Sequence, residues 1–340
     1  MRILATATLG FLLFALAAFG QSSPLQTEDR VLCFTNIASA SDLGQMGAVI
    51  RMMSRIENIS TATEQNCLTA HGTPSQNAVA DWVGRELDHP LRDSQEELSE
   101  CQVAGDPDDV VQVFPLRHVN SVQELQEIAV LVRSELDIRQ FMSYDRLRVV
   151  VYRGTAAQAK AAEWLLRQLD MPESGTKALK GQEFPESTPA DGIKLFFLNP
   201  DHSVQQFQEL VNVVRSISDM RFAFTYNSRR ALAVRGTSDQ ITLVGWLLNH
   251  LENSGPGPDA SPEYRVADTR TPDNVVRVLH LPQTLSDQSF QAAAQNLRIT
   301  SQARWLFTYA PDRVVAVRGT ASQIALVEQL AEQGNQPVIK

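Results

Sequence analysis

The sequence lacks most of the residues and motifs that mark an enzyme or a metalloprotein. Its 340 residues include only three cysteines and six histidines, and no two histidines stand four residues apart. A zinc site needs about four converging ligands of these types. The chain also has no phosphate-binding glycine loop, no dinucleotide fingerprint and no nucleophile elbow. We therefore expect a protein without catalytic residues, metal or cofactor.

Positive charge is also scarce. The 30 lysines and arginines are outnumbered by 39 aspartates and glutamates, so the formal net charge is -9. Surfaces that bind nucleic acid are usually basic, so no nucleic-acid partner is expected. The hydrophobic share of 43% is ordinary for globular protein. The length is enough for two to four domains.

Long apolar runs are absent except at the start of the chain. Met1-Arg2 precedes the apolar run of residues 3–19, and small residues stand at Ala18 and Gly20. This order is typical of a secretory signal peptide cut after Gly20. A retained anchor is the alternative, although the run is short for a full span. We expect residues 1–20 to be removed, and the mature chain to be periplasmic or secreted without a transmembrane span.

A short motif recurs along the chain at a nearly constant interval. The glycines Gly72, Gly154, Gly236 and Gly319 are 82, 82 and 83 residues apart, and each is followed by threonine and, four residues on, by glutamine. Repetition at such a period predicts tandem copies of one supersecondary unit. The first copy has diverged most. In the other three copies the motif consists of Arg153, Gly154, Thr155 and Gln158; Arg235, Gly236, Thr237 and Gln240; and Arg318, Gly319, Thr320 and Gln323.

Each copy has the same predicted order of elements. A short apolar strand leads to a serine suited to cap a helix, and apolar residues follow at helical spacing. Two strands joined by a polar turn come next, and the Gly-Thr pair opens a second helix. The prediction is an α+β chain of four β-α-β-β-α modules, each a three-stranded sheet with two helices on one face. The predicted modules span residues 29–90, 110–172, 192–253 and 274–336.

The Arg-Gly-Thr motif has two interpretations. Free N–H groups at a helix start favour an anion, which would make the motif a binding site. Alternatively, glycine supplies a tight turn and threonine the helix cap. Because a catalytic or binding site is rarely needed four times in one chain, we favour the architectural interpretation. The tryptophans Trp82, Trp164 and Trp246 fall at helical positions where core packing is expected; the alternative is exposed stacking platforms.

Polar stretches separate the predicted modules. They span residues 91–109, 173–191 and 253–273, and their composition is typical of solvated linkers. We therefore expect modules that are strung on linkers like beads and need not pack tightly. In the first module, Cys33 lies on the first strand and Cys67 on the last, which are sheet neighbours in this topology. A disulfide between them suits an oxidising compartment, and two buried thiols are the alternative.

The pattern of the second copy resembles the repeated N-terminal ring-building domain of bacterial secretins, the outer-membrane pores of type II and type III secretion and type IV pilus systems. The order of elements also resembles the KH type of nucleic-acid-binding domain, but no copy has a Gly-x-x-Gly loop between helices. The residues that carry the secretin resemblance in copy two are Val113, Leu116, Ser121, Leu125, Arg148, Val150, Arg153, Gly154, Thr155, Gln158, Leu169 and Asp170.

The resemblance implies a function through association. Family modules of this kind stack as rings in the periplasm and bind each other or secretion partners. We therefore expect protein partners, such as a secretin or another envelope component, and possible homo-oligomers. The sequence ends at Lys340 without the β-rich segment that builds a secretin pore, so no pore is expected. The alternative is an exported protein that binds a ligand in clefts between the repeats.

Overall fold

The structure, a computed structural model, describes residues 27–90, 98–172, 181–252, 262–267 and 272–334. The predicted signal peptide, residues 1–20, lies outside these ranges. Within them, no helix is long and apolar enough to cross a bilayer. The described residues form eight helices and four small antiparallel sheets, which confirms the α+β class.

Each sheet and its two helices form what we call a unit. Unit one contains β1 (Glu28–Cys33), α1 (Ala40–Ser54), β2 (Asn58–Ala62), β3 (Cys67–Gly72) and α2 (Pro74–Leu87). Unit two contains β4 (Ser99–Gln102), β5 (Val110–Pro115), α3 (Val122–Glu135), β6 (Gln140–Tyr144), β7 (Val149–Gly154) and α4 (Ala156–Leu169). Unit three contains β8 (Gln182–Glu183), β9 (Gly192–Phe197), α5 (Val204–Ile217), β10 (Phe222–Tyr226), β11 (Ala231–Gly236) and α6 (Ser238–Glu252). Unit four contains β12 (Glu263–Arg265), β13 (Val275–His280), α7 (Asp287–Ser301), β14 (Trp305–Tyr309), β15 (Val314–Gly319) and α8 (Ala321–Gly334).

The first helix of every unit begins at the serine that the sequence predicts as its cap. The side chains of Ser39, Ser121, Ser203 and Ser286 each accept a hydrogen bond from the backbone N–H three residues on. Such a bond satisfies one of the donors that a helix start leaves without a partner. The cap therefore fixes where the chain turns from the first strand into the helix.

The prediction of three-stranded sheets is wrong for three of the four units. Only the first sheet has three strands, in the order β1-β3-β2. The others have a fourth strand, β4, β8 or β12, which pairs antiparallel with the first strand of the module. These short strands come from the polar stretches that we interpreted as solvated linkers. Pairing is favourable there because the added strand satisfies backbone groups that the sheet edge would otherwise expose.

The prediction of beads on linkers is also wrong. Helix α1 packs on β6 and β7 of unit two, α3 on β10 and β11 of unit three, and α5 on β14 and β15 of unit four. Three of the four hydrophobic clusters combine buried residues of two consecutive units. The units therefore pack as a stack in which each contacts its sequence neighbours, as in repeat proteins.

Strand β7 is buried on both faces because helices pack on both sides of its sheet. All six of its residues are buried. Val150 and Tyr152 pack with the helices of their own unit. Val149 and Val151 point to the opposite face and pack with residues of α1. A strand buried on both faces has a continuous apolar run instead of alternation, and β7 has one.

Candidate functional site at the contacts between units

The Thr and Gln of the recurring motif form a capping box in every unit. In unit two, Thr155 Oγ1 accepts from the N–H of Gln158 at 3.2 Å, and Gln158 Oε1 accepts from the N–H of Thr155 at 3.0 Å. The same reciprocal pair of bonds starts α2, α6 and α8. The motif itself thus satisfies two of the N–H groups at each helix start, which leaves fewer donors for an anion.

The motif glutamine also joins the two helices of its unit. Gln158 Nε2 donates to the carbonyl of Leu136 at the end of α3, at 3.1 Å. Gln76, Gln240 and Gln323 donate in the same way to carbonyls just after α1, α5 and α7, at 2.8, 3.1 and 3.0 Å. One side chain therefore caps the second helix at its start and satisfies a carbonyl at the end of the first.

The motif arginine reaches out of its own unit in units two and four. Arg153 is 4% exposed, and its Nη1 donates to the carbonyl of Met53 at the end of α1, at 2.7 Å. Its Nε donates to the carbonyl of Asp108, and its Nη2 to the carboxylate of Asp106. Burial and the nearby Arg55 lower the pKa of the Arg153 guanidinium.

Arg318 repeats this arrangement between units three and four. Its Nη1 donates to the carbonyl of Ile217 at the end of α5, at 3.0 Å, and its Nε to the carbonyl of Asp273, at 2.9 Å. Carbonyls at a helix end carry partial negative charge, which favours a cation beside them. The arginine of the motif therefore binds each of these units to the preceding one.

The contact between units two and three is different. Glu135 on α3 stands at the position that Met53 and Ile217 hold on α1 and α5, fourteen residues after the capping serine. Its buried carboxylate has no hydrogen-bond partner within the described structure. Burial raises the pKa of Glu135 to about 8, although the charge of Arg235 lowers it somewhat. Arg235 itself lies over the ring of Phe222, 4.0 Å from the centroid.

Unit one has His71 in place of the motif arginine. Its ring is about half exposed, and Nδ1 lies 2.7 Å from Asp29 on the neighbouring strand. The described structure has no unit before this one, so there is no helix end for an arginine to reach. The departure of copy one from the motif thus coincides with the absence of a preceding unit in the described residues.

Two of the repeated tryptophans contact the following unit. Trp164 on α4 packs on Phe184 of unit three, with ring centroids 5.6 Å apart, and Trp246 on α6 packs on Tyr264 of unit four at 5.4 Å. All three repeated tryptophans are partly buried and pack against the hydrophobic clusters, so they contribute to the core without being enclosed by it. In unit four this position holds the exposed Gln329. The tryptophan is therefore present where a following unit exists.

Truncation of Trp246 tests this interpretation. We expect Trp246→Ala to lower the free energy of unfolding by about 2 kcal/mol, because it removes a large half-buried ring and its aromatic contact. Gln329→Ala, at the equivalent and exposed position of unit four, should change it by less than about 0.5 kcal/mol. Urea unfolding followed by circular dichroism measures both. Equal effects of the two substitutions would contradict the interpretation.

The first helices of the units differ in how they contact the sheet of the following unit. Glu127 on α3 accepts from the N–H of Asn227 at 3.1 Å, and Glu209 on α5 accepts from the N–H of Ala310 at 3.4 Å, each across a unit boundary. The equivalent residue on α7 is Ala292. Four residues further on, α7 has the exposed Asn296 where the other three helices have the buried Val49, Leu131 and Val213. At this position α7 is thus polar and exposed where the other three helices are apolar and buried.

The structure places a disulfide between Cys33 and Cys67, with an S–S distance of 2.02 Å. The two residues are direct partners in the register of β1 and β3. Cys101 on β4 is the remaining cysteine and is partly buried, which raises the pKa of its thiol. We expect the unfolded, unreduced protein to contain one reactive thiol and the reduced protein three, as counted with a thiol reagent in urea. Three thiols before reduction would show that the bridge does not form.

The described ranges contain no cluster of three or more residues able to hold a metal ion. An open cavity of about 430 Å³ lies between units one and two, lined by Arg55, Gln76, Gly105, Asp106 and Arg153 among others. Its two arginines are already paired, Arg55 with Asp106 and Asp108 at 2.5 and 2.6 Å, and Arg153 with Asp106 at 3.0 Å.

Comparisons with known proteins give only remote likenesses. No protein-family model and no curated protein matches the chain. Among solved structures, a mutant of the N-terminal domain of the secretin XcpQ from Pseudomonas aeruginosa is 16% identical, covers 44% of this chain and 65% of its own length, and has a TM-score of 0.19. The pilotin–secretin complex AspS–GspD from ETEC is 13% identical, covers 90% of this chain and 54% of its own, and has a TM-score of 0.17. Aspartate kinase from Synechocystis is 8% identical, covers 92% of this chain and 55% of its own, and has a TM-score of 0.18. The chain thus spans less than two thirds of each of these structures, and the likenesses carry no functional argument.

Proposed function

We propose that this chain is a non-enzymatic scaffold or adaptor of the bacterial envelope, made of four tandem copies of one β-α-β-β-α module and exported by a cleavable signal peptide. It acts by protein association, as the periplasmic domains of the secretins that its motifs resemble do. Its partners are a secretin or another envelope component, or further copies of the chain.

The observation that supports this proposal is where the recurring residues are used. The motif threonines and glutamines cap helix ends within units. Arg153 and Arg318 bind one unit to the one before. Trp164 and Trp246 pack on the one after. Gln76 and Arg153 both line the cavity between units one and two, but each already donates to a backbone carbonyl at the end of α1. Residues repeated for architecture build a surface of fixed shape, which is what a scaffold requires.

Export is tested by locating the protein in the cell and identifying its N-terminal residue. The proposal predicts that the chain is recovered from the periplasm or the medium and that its N-terminal residue is Gln21, as read by mass spectrometry of the intact protein. A chain retained in the cytoplasm with Met1 still present would contradict this part.

Association is tested with the full mature chain. Light scattering reports its oligomeric state, and co-purification with the periplasmic region of a secretin from the same cell reports binding. We expect either a defined oligomer or a stoichiometric complex. A monomer that binds no envelope protein would overturn the proposal.

The cavity between units one and two favours one alternative, a ligand bound in a cleft between units. Because Arg55 and Arg153 are paired with Asp106, an anionic ligand would have to compete with that carboxylate. On this alternative, Asp106→Asn would raise ligand affinity, as measured by calorimetry with small anions. On the scaffold proposal, neither the unchanged protein nor Asp106→Asn binds such anions.

A further inference from the structure

The contact between units two and three is held differently from the other two contacts of the stack. In those, Arg153 and Arg318 donate to backbone carbonyls at the ends of α1 and α5, in the preceding unit. Arg235 instead lies over the ring of Phe222, and its Nε is 3.8 Å from the carboxylate of Asp191. The motif arginine of unit three is thus engaged within its own unit.

Glu135 is the residue that this contact buries at the end of α3. The equivalent residues of α1 and α5, Met53 and Ile217, are apolar and fully buried. Glu135 is buried to the same extent, and both of its carboxylate oxygens are without a hydrogen-bond partner among the residues that the structure describes. A charged carboxylate without a partner is costly in such a place, so the packed contact favours the protonated acid.

The charges that act on Glu135 come from unit three. Arg235 on β11 and Asp191 just before β9 act on its carboxylate with opposite signs. Helix α3 packs on β6, α4, β10 and β11. The other titratable side chains on these four elements are Tyr144, Lys160, Glu163, Arg167 and Tyr226. The two cations in that list pair with the carboxylates of Glu186 and Glu163. Arg235 is therefore the cation best placed to pair with an ionised Glu135.

Two responses would relieve a negative charge on Glu135. In the first, Arg235 leaves Phe222 and Asp191 and pairs with the carboxylate, which exchanges two existing interactions for a buried ion pair. In the second, the contact opens and water solvates the carboxylate. Because the desolvation of both partners offsets much of the attraction in a buried ion pair, opening is the favoured response.

We propose that the contact between units two and three is a pH-sensitive joint, which opens more readily as Glu135 loses its proton. The other two contacts have Met53 and Ile217 at this position and do not respond. The chain then moves as two halves, with units one and two in one half and units three and four in the other. The inference goes beyond the proposed function, because it concerns the shape of the stack whether or not a partner binds.

The direction of the pH dependence follows from proton release. Burial raises the pKa of Glu135 to about 8 in the closed contact, and opening restores its ordinary value of 4.5. Between these two values each opening releases one proton, so the ratio of open to closed contacts rises about tenfold per pH unit. Below pH 4.5 both forms are protonated, and above about pH 8 both are ionised, so the ratio is constant there.

Amide hydrogen exchange of the full exported chain, read by mass spectrometry, measures opening at each contact. Exchange at the ends of α1, α3 and α5 is recorded from pH 5.5 to pH 7.5 and divided by the rate of an unstructured peptide at the same pH, which removes base catalysis of exchange. We expect protection at the end of α3 to fall about a hundredfold over this range. Protection at the ends of α1 and α5 should change by less than about threefold.

Two variants remove the titrating group from the joint. Glu135→Gln keeps the shape of the protonated acid, and Glu135→Met supplies the residue type that α1 has at the equivalent position. In both variants, protection at the end of α3 should depend on pH as weakly as protection at the other two contacts. Glu332→Gln, on the exposed surface of α8, is the matched control and should keep the full pH dependence. Circular dichroism at pH 5.5 shows that all three variants fold.

Three results would overturn the inference. Protection at the end of α3 that is independent of pH would show that the closed contact does not hold Glu135 protonated. Protection there that rises with pH would show that Arg235 pairs with the ionised carboxylate. Equal falls at all three helix ends would show that the chain opens only as a whole. The proposed association is tested separately, by light scattering and co-purification, and stands or falls independently of these results.

Discussion

Arg153→Ala is expected to lower the free energy of unfolding by about 3 kcal/mol. The guanidinium is 4% exposed and donates to the carbonyls of Met53 and Asp108 and to the carboxylate of Asp106. Alanine would leave these acceptors without their donor at a contact between two units. Buried polar groups left without partners cost about 1–3 kcal/mol each, less where water can enter.

The matched control is His71→Ala at the equivalent position of unit one. His71 is about half exposed and pairs with Asp29 on the neighbouring strand. Its replacement should change stability by less than about 0.5 kcal/mol, because an exposed pair contributes little. Urea unfolding at pH 7 measures both variants, and amide exchange should report faster opening at the end of α1 in Arg153→Ala alone. Similar losses in the two variants would show that the motif arginine does not join units.

Glu135→Gln is expected to stabilise the protein at pH 8 by roughly 2–4 kcal/mol and to have little effect at pH 4.5. Burial raises the pKa of Glu135 from its ordinary 4.5 to about 8. Between these values the folded protein holds a proton that the unfolded chain has released, so stability falls as the pH rises. Below pH 4.5 both states are protonated and the penalty is absent. Glutamine resembles the protonated side chain and does not titrate.

The stability difference between Glu135→Gln and the unchanged protein should therefore grow steadily from pH 4.5 to pH 8. Urea unfolding at several pH values measures it. Glu332→Gln, on the exposed surface of α8, is the control and should show no such growth. A difference that stays constant with pH would mean that Glu135 is ionised in the folded protein and paired, with Arg235 as the nearest cation.

The order of elements could be predicted from local signals. The capping serines, the Gly-Thr pairs and the turns between paired strands each act over three or four residues, so they are visible in the sequence. The order of strands in a single sheet makes Cys33 and Cys67 neighbours, while the choice between a bridge and two thiols came from the structure. These features depend on contacts within one unit, and within one unit the periodicity of apolar residues gives the buried face.

The packing of units on one another was missed, although signals for it were present. Val149, Val150 and Val151 form a continuous apolar run, which is typical of a strand buried on both faces. Leu131 and Val213 widen the apolar stripe of their helices beyond what one sheet needs. The exceptions to the repeat were also informative, since His71 departs from the arginine in the first copy and Gln329 from the tryptophan in the last.

The fourth strands could not be predicted from composition. β8 has two residues and β12 has three, which is too short for any alternation to be recognised. Their residues are polar, and they pair because the first strand of the unit offers an open edge, which is a tertiary cause.

The central claim is that the units pack into one continuous stack, and small-angle X-ray scattering of the mature chain tests it most directly. The account predicts a bell-shaped Kratky plot and a scattering profile that matches the one calculated from the stacked units. A Kratky plot that rises to a plateau, with a radius of gyration well above the calculated value, would show units moving independently on linkers and would contradict it.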